Sequence, residues 1–424
     1  MKSMTKNAID GLRHVIVIGG GAAGMMAAIT AAECGARVTL YERNDRVGKK
    51  LRITGKGRCN VTNDCDLNTF LSNVPTNPRF LYAPLSHFST ADTVSFFESL
   101  GVPLKTERGQ RVFPVSDRAG DIVFALEKKC RESGVEIVHR RVQKILVDDG
   151  CAVGVSLSGN SEDFADAVIL CTGGKSYPLT GSDGDGYRFS QSLGHKVEPL
   201  FGSLVPLVAE GKLCASMQGL SLKNVALCMI DTQSGKTVYE DFGEMMFTHF
   251  GLTGPLILSA SAHLKHMAPG RYVAHIDLKP ALDEKTLDAR LLSDFSKYKN
   301  RDLINSLDDL LPQKMIAPFI SLCDMDPRKK VNSITREERE RMVKTLKGIS
   351  VSIKGFRPIE EAIVTRGGIS VKEINPKTMG SKLVSGLYFA GEIIDVDAYT
   401  GGFNLQIAFS TGALAGSSAA YGDQ

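Results

Sequence analysis

The chain of 424 residues has no CxxC pair among its nine cysteines, no internal repeat, no apolar run long enough to cross a bilayer and no large surplus of one charge. Each absence removes a class. Cysteines scattered singly argue against a zinc site or a disulfide framework and fit a reducing compartment. Residues 1–13 are polar and carry no apolar signal core. A net charge of +4 is mild for this length and neither demands nor excludes nucleic acid. With 43% hydrophobic residues the chain has enough apolar side chains for a sizeable interior. Two or three domains in the cytoplasm are the expectation.

What is present begins at residues 14–24, HVIVIGGGAAG, answered by RVTLYE at 37–42. An apolar strand, a glycine-rich turn, an Ala/Met helix over 22–34 closed by Gly35, and a second strand ending in an acid form the dinucleotide-binding fingerprint. Gly19 permits the tight turn, Gly21 lets backbone approach a pyrophosphate, and Gly24 lets the helix pack on the strand. The helix start at Ala22 and Ala23 offers N–H groups and partial positive charge to phosphates. Glu42 stands where an acid holds the ribose hydroxyls. Glycines alone also serve purely structural turns; the complete strand–helix–strand context favours the cofactor.

Residues 43–114 read as a long irregular stretch with one helical patch at 90–100. A helix is expected at 121–133 and strands at 135–139, 142–147, 152–157 and 165–171, the last three as a meander. From about 198 the texture becomes β-rich, with strands at 204–208, 225–230, 237–239 and 271–277. From 281 it turns helical and charged, over 284–298, 301–311, 314–323 and 335–345. Elements at 361–365, 387–390 and 404–420 return to the first texture. The expected class is α/β, with a discontinuous Rossmann-like domain at 1–197 plus 350–424. A β-barrel-like insert follows at 198–280 and a small helical subdomain at 281–349.

The tail indicates which dinucleotide. A strand ends in Gly391-Glu392, and a helix N-terminus follows Gly402. A second strand-end acid and a second helix N-terminus suit a long cofactor, one end for pyrophosphate and the other for a flavin. N–H groups near Gly402 and Leu405 would face the flavin edge that becomes negative on reduction. This favours FAD over NAD; the alternative is a plain turn with an N-cap. Residues 54–57, TGKG, lack the spacing of a nucleotide-triphosphate loop, since Gly57 follows Lys56 where Ser or Thr belongs. They read instead as an extended segment along the pyrophosphate, with Lys49, Lys50 or Arg52 offsetting phosphate charge.

Four blocks resemble the HI0933-like flavoproteins of the glutathione-reductase-like FAD superfamily. They are GKKLRITGKGRCNVTN at 48–63, CTGGKSYP at 171–178 with GSDGDG at 181–186, FTHFGLTGP at 247–255, and GEIIDVDAYTGGFNLQ at 391–406. They span almost the whole chain in family order. With the fingerprint, they give the expected FAD contacts. These are Gly19, Gly21, Ala22, Ala23, Gly24, Glu42 and Arg43, then Lys50, Gly55, Gly57, Arg58 and Cys59. Val142, Thr172, Gly173 and Gly174 follow, with Gly391, Glu392, Gly402, Phe403, Asn404 and Leu405 from the tail.

Cys59 and Asn60 would arrive near the reactive ring. A thiol beside basic groups is a candidate proton donor; the alternative is a buried structural cysteine. His249 would orient or protonate a substrate, or else is a packed residue beside two aromatics. Asp183, Asp185, Asp395 and Asp397 match no calcium loop, and the resemblance implies FAD contacts or turns, with no metal. The basic segments 297–301 and 327–330 are offset by nearby acids and read as solvated helix faces, with RNA contact as the alternative.

Only one fingerprint is present, so NAD(P)H would be a transient electron donor docking at the flavin. The resemblance implies a reductase of conjugated double bonds in bile-acid-type steroids, a ribosomal RNA dihydrouridine synthase, or an amine oxidase acting on aminoacetone. The first two share hydride addition to an activated C=C bond, and that reaction is the expectation. The partner would be a small molecule or ribosomal RNA, with no DNA and no membrane. An amine oxidase or a non-catalytic flavin redox sensor is the alternative.

Overall fold

Val15, Ile16 and Val17 have no exposed surface, and neither do Ala167, Val168, Ile169 and Leu170. Short, wholly apolar strands of this kind belong to the middle of a parallel sheet covered on both faces. The computed structural model, which describes residues 11–422, places them side by side. Most of the polar N-terminal segment, residues 1–10, lies outside the described residues.

The chain divides into two units, residues 1–203 with 359–424, and residues 204–358. The first contains a five-stranded parallel sheet in the order Leu387–Phe389, Ala167–Leu170, His14–Ile18, Arg37–Tyr41, Glu136–Val138. Helices Ala22–Glu33, Ala119–Glu132 and Phe403–Tyr421 contribute to the same hydrophobic core as these strands. This is the Rossmann-like α/β core expected from the fingerprint.

Two expectations within this unit change. The strand at Ala167–Leu170 does not complete the meander; it pairs in parallel with the first strand and with Leu387–Phe389. The meander's third strand is Ser161–Phe164, paired with Cys151–Leu157. A fully apolar run goes to the doubly covered sheet, while the alternating Ser-Glu-Asp-Phe goes to the half-exposed one. The stretch 43–114 is also far from irregular. It holds the short helices Lys49–Ile53, Leu67–Ser72 and Tyr82–His87 besides Thr90–Ser99, and the three-stranded sheet of Thr62–Asn63, Leu104–Glu107 and Arg111–Pro114. These helices are too short to show periodicity, and side-chain caps mark only Leu67–Ser72 and Thr90–Ser99. Asp66 accepts from the backbone N–H of Asn68 and Thr69, and Ser89 forms a capping box with Asp92.

Strand Val364–Ile369 pairs antiparallel with Val197–Ser203, outside the parallel sheet.

The second unit is a closed six-stranded barrel with helices. Its strand order is Leu207–Ala209, Gly251–Thr253, Lys236–Phe247, Ser221–Asp231, Tyr272–Asp277, Ile349–Phe356. Helices Glu284–Lys297, Gln313–Leu322 and Arg336–Lys347 share its core, since Leu287, Phe319 and Met342 cluster with Leu227 and Phe247. The residues from 349 to 356 return to the barrel, so this unit ends later than the texture of the sequence suggests. Residues 301–311 are not a helix. They contain one 3₁₀ turn at Leu303–Asn305. Leu303 and Ile304 donate their N–H groups to Lys329 and Pro327, which holds the segment against another loop while Leu307, Leu310 and Leu311 fill the core. No helix among the described residues is long and apolar enough to cross a membrane.

Candidate cofactor and active site

The turn after the first strand is built by two close approaches. A Cβ at Gly24 would stand 1.8 Å from the Gly19 carbonyl oxygen, and one at Gly19, where φ is +104°, would stand 2.6 Å from that of Cys171. Gly21 differs: a Cβ there meets nothing within 4 Å. It caps helix Ala22–Glu33 with no side-chain hydrogen bond. The N–H groups of Ala22 and Ala23 therefore lie in an uncapped first turn facing open space, the geometry a phosphate needs.

Glu42 is nearly buried and rigidly held. Its Oε2 accepts from the Gly20 N–H at 2.9 Å, and its Oε1 accepts from the N–H and Nδ2 of Asn44 at 2.8 and 2.7 Å. About four lone-pair positions exist on a carboxylate, so room remains for one ribose hydroxyl. Arg43 pairs with Asp183 and Asp185, and Arg141 pairs with the same two acids. These carboxylates answer guanidinium groups, and among the described residues no group of three possible metal ligands occurs. Val142 is buried at the start of a meander strand, opposite Leu157. Thr172, Gly173 and Gly174 follow strand Ala167–Leu170, and the buried Thr172 Oγ1 has no protein partner.

The segment after Glu42 differs from expectation at its charges. Lys50 does not stand free for phosphate. Its Nζ donates to Ser176 Oγ and Glu392 Oε2, each at 2.7 Å. Glu392 Oε1 in turn accepts from the Thr365 N–H at 2.8 Å and from Ser176 Oγ at 3.1 Å. Lys49 is engaged with Asp45 at 2.7 Å. Gly55, Lys56 and Gly57 form a left-handed turn. Arg58 then turns over the Phe113 ring at 4.2 Å and pairs with Glu107 and Asp117 at 2.5 and 2.6 Å.

Cys59 has 0% of its surface exposed, in the hydrophobic core of this unit. Burial pushes its thiol pKa up to about 12, against a weaker opposing hydrogen bond from Thr54. The basic neighbour expected to activate it is the same Arg58 that turns away. Cys59 is thus a buried core thiol whose neighbouring guanidinium is engaged elsewhere. Asn60 is only partly buried, but its Oδ1 is covered and has no protein partner.

At the other end, helix Phe403–Tyr421 starts from Gly402, again without a side-chain cap. Asn404 uses its side chain on the preceding loop: Oδ1 accepts from the Ala398 N–H at 3.0 Å, and Nδ2 donates to the carbonyls of Ala398 and Tyr399. Phe403 meets Phe70 edge-on at 5.1 Å. The backbone at Asn404 and Leu405 thus lies in a free first turn. Gly391 donates its N–H to Thr411 Oγ1 at 2.9 Å, which ties the strand-end loop to this helix. Asp397 is buried, accepts from Ser203 Oγ at 2.6 Å and keeps an unpartnered Oδ1. Asp395 accepts from Asn77 Nδ2 at 3.0 Å, and burial raises its pKa.

Two uncapped helix starts, the open space at Gly21 and the unpartnered oxygens of Thr172 and Asn60 fit a long dinucleotide. Sequence reasoning missed Ser176, Thr365 and Gln406. The last is fully buried, accepts from Thr62 Oγ1 at 2.6 Å, and fixes the strand at Thr62 against the flavin-end helix. Ser176 and Gln406 lie inside the blocks at 171–178 and 391–406, and Thr365 stands just before Gly367 and Gly368.

In the second unit, His249 is exposed beyond the end of strand Lys236–Phe247, with its ring edge-on to Phe250 at 5.1 Å. Lys297, at the end of its helix, pairs with Asp309; Lys329 and Lys330 lie in a turn outside any helix and pair with Glu338 and Asp302.

The family model described as HI0933-like protein Rossmann domain matches residues 13–418. The chain is 31% identical to the 3-dehydro-bile acid delta(4,6)-reductase of Clostridium scindens, over 96% of this chain and 99% of that one. It is 30% identical to the ribosomal RNA dihydrouridine synthase of Escherichia coli, over 93% and 95% of the two chains. Among solved structures, the 3-ketosteroid-delta4-(5alpha)-dehydrogenase of Rhodococcus jostii matches with a TM-score of 0.53 at 15% identity, over 99% of each chain. That likeness shows a shared fold.

Proposed function

The chain belongs to the HI0933-like family, whose members are FAD-dependent oxidoreductases, and from that premise we propose that it reduces an activated carbon–carbon double bond with electrons from NAD(P)H. The observation that carries this reading is 31% and 30% identity, over nearly the whole chain, to relatives whose names describe one bond change. A delta(4,6)-reductase and a dihydrouridine synthase both add hydride to a C=C bond conjugated with a carbonyl group.

When bound, FAD supplies hydride transfer between the nicotinamide and the substrate. The chain's own residues hold and tune it. The helix start at Ala22 and Ala23 takes the pyrophosphate, and Glu42 takes a ribose hydroxyl. The first turn at Asn404 and Leu405 faces the flavin edge that gains negative charge, which favours the reduced state. Gly173, Gly174 and Gly391 line the backbone between these ends. Asn60 offers its free Oδ1 as an acceptor.

Ribosomal RNA is the specific substrate proposed first. Dihydrouridine in the rRNA of a deletion strain and its parent, measured by mass spectrometry, tests it. Loss in the deletion strain is expected. An unchanged level removes the RNA substrate and leaves a small conjugated ketone, for which a 4,6-dien-3-one steroid is the probe.

A further inference from the structure

The hairpin formed by Leu104–Glu107 and Arg111–Pro114 carries a charge imbalance that the cofactor site does not use. Its two acids are taken: Glu107 and Asp117 both pair with Arg58, and Asp117 also holds Lys105 at 2.9 Å. Arg111 is left without a carboxylate. Its Nε donates to the Arg108 carbonyl at 3.0 Å, and its guanidinium lies 5.9 Å from the Phe113 ring centre. Its two terminal nitrogens have no partner among the described residues. Arg108, at the tip, is exposed and likewise without an acid. The result is an exposed guanidinium fork, oriented before any ligand arrives, with Glu107 and Asp117 both engaged by Arg58 and Lys105.

The location matters as much as the charge. Arg111 pairs across the sheet with Asn63. Asn63 Nδ2 donates to both the Gly109 carbonyl of the hairpin tip and the Gly401 carbonyl, each at 3.0 Å. Gly401 immediately precedes the cap of the flavin-end helix. Phe113, over which Arg111 lies, also stands against the left-handed glycine turn, 3.7 Å from where a Cβ on Gly55 would be. The fork is therefore pinned beside the flavin end of the fold, one side chain away from the loop that shapes it.

We propose that Arg111, assisted by Arg108, binds a phosphate group of the molecule that docks at the flavin. The inference rests on the reductase reading above. A guanidinium with Nε already fixed presents two parallel N–H groups that match two phosphate oxygens, and a lysine at the same place supplies charge without that fork. Two sources share this chemistry: the phosphates of the nicotinamide donor and those of an RNA substrate.

The test uses the FAD-loaded protein and the variants Arg111→Lys and Arg111→Gln. FAD content and thermal midpoint, compared with the parent, confirm that each variant is folded. Anaerobic flavin reduction is followed against NADPH and NADH concentration, and binding of a short oligouridylate is titrated over a range of salt. If the donor is the source, half-saturation by NADPH rises about tenfold or more in both variants, with the limiting rate unchanged. If RNA is the source, oligouridylate binding weakens instead, and in the Gln variant its salt slope falls by about one. Unchanged affinity for all three ligands in folded variants overturns the proposal. A parent protein whose flavin neither nicotinamide reduces contradicts the reductase reading itself, which is a different failure.

Discussion

Gly412 lies against Ala23: a Cβ on Gly412 would stand 2.5 Å from the Ala23 carbonyl oxygen, and one turn on, a Cβ on Gly416 would stand 2.4 Å from that of Ala27. The two helices that meet here, Ala22–Glu33 and Phe403–Tyr421, are those whose uncapped N-termini are proposed to serve the two ends of the cofactor site. Backbone contact between them fixes the spacing of those ends. Replacing Gly412 by Val forces the helices apart. We expect a loss of about 1–3 kcal/mol from such overpacking, together with lower FAD content, measured by urea unfolding and flavin absorbance. Full FAD content at unchanged stability would show that this contact does not set the spacing.

Gly21 and Gly24 separate binding from folding. The space at Gly21 is open, and that at Gly24 is filled by the Gly19 carbonyl. Gly21→Val should give a folded protein, with an unchanged circular dichroism spectrum, that binds little FAD. Gly24→Val should fail to accumulate as folded protein. Equal FAD binding by Gly21→Val and the parent would remove the pyrophosphate from this turn.

Lys50 and Glu392 join the block at 48–63 to the block at 391–406. Both side chains keep about a fifth of their surface exposed, 23% and 21%, so the pair is screened in part. Glu392→Gln also weakens the acceptors for Ser176 and Thr365. A loss of about 1–2 kcal/mol is expected, between the values for exposed and buried pairs. Unfolding in urea at low and high salt reads it, with the difference between parent and variant smaller at high salt.

Cys59 gives a pH prediction. Its thiol pKa is raised from 9.0 in the unfolded chain to about 12 in the fold. The stabilisation is fully present below pH 9.0 and is lost as pH rises toward 12, because only the unfolded chain ionises in that window. The slope contributed is about 1.4 kcal/mol per pH unit. Cys59→Ala should flatten this alkaline loss, measured as urea midpoints across the window, and should leave turnover of a folded, FAD-loaded variant intact. Loss of turnover in such a variant would restore Cys59 to the chemistry.

Parts of this molecule were legible because their cause is local. The fingerprint at Gly19, Gly21 and Gly24 is a steric requirement repeated at short spacing, and the helix after Gly402 is announced by glycines and small residues. The Lys50–Glu392 pair joins positions 342 apart, and no local pattern encodes it. Cys59 reads as reactive because Arg58 is its neighbour in sequence; in the fold the Arg58 side chain reaches Glu107 and Asp117 while that of Cys59 lies in the core. The strand at Ala167–Leu170 was assigned to the wrong sheet because an apolar run shows burial, not its partner.

In the proposed reaction electrons pass from a nicotinamide through FAD to an activated C=C bond. Anaerobic stopped-flow absorbance of the FAD-loaded protein tests it most directly. The account predicts that NADPH or NADH bleaches the flavin and that unmodified ribosomal RNA or a 4,6-dien-3-one steroid then restores its colour without oxygen. Bleaching by aminoacetone but by neither nicotinamide, with colour restored only by oxygen, would contradict it.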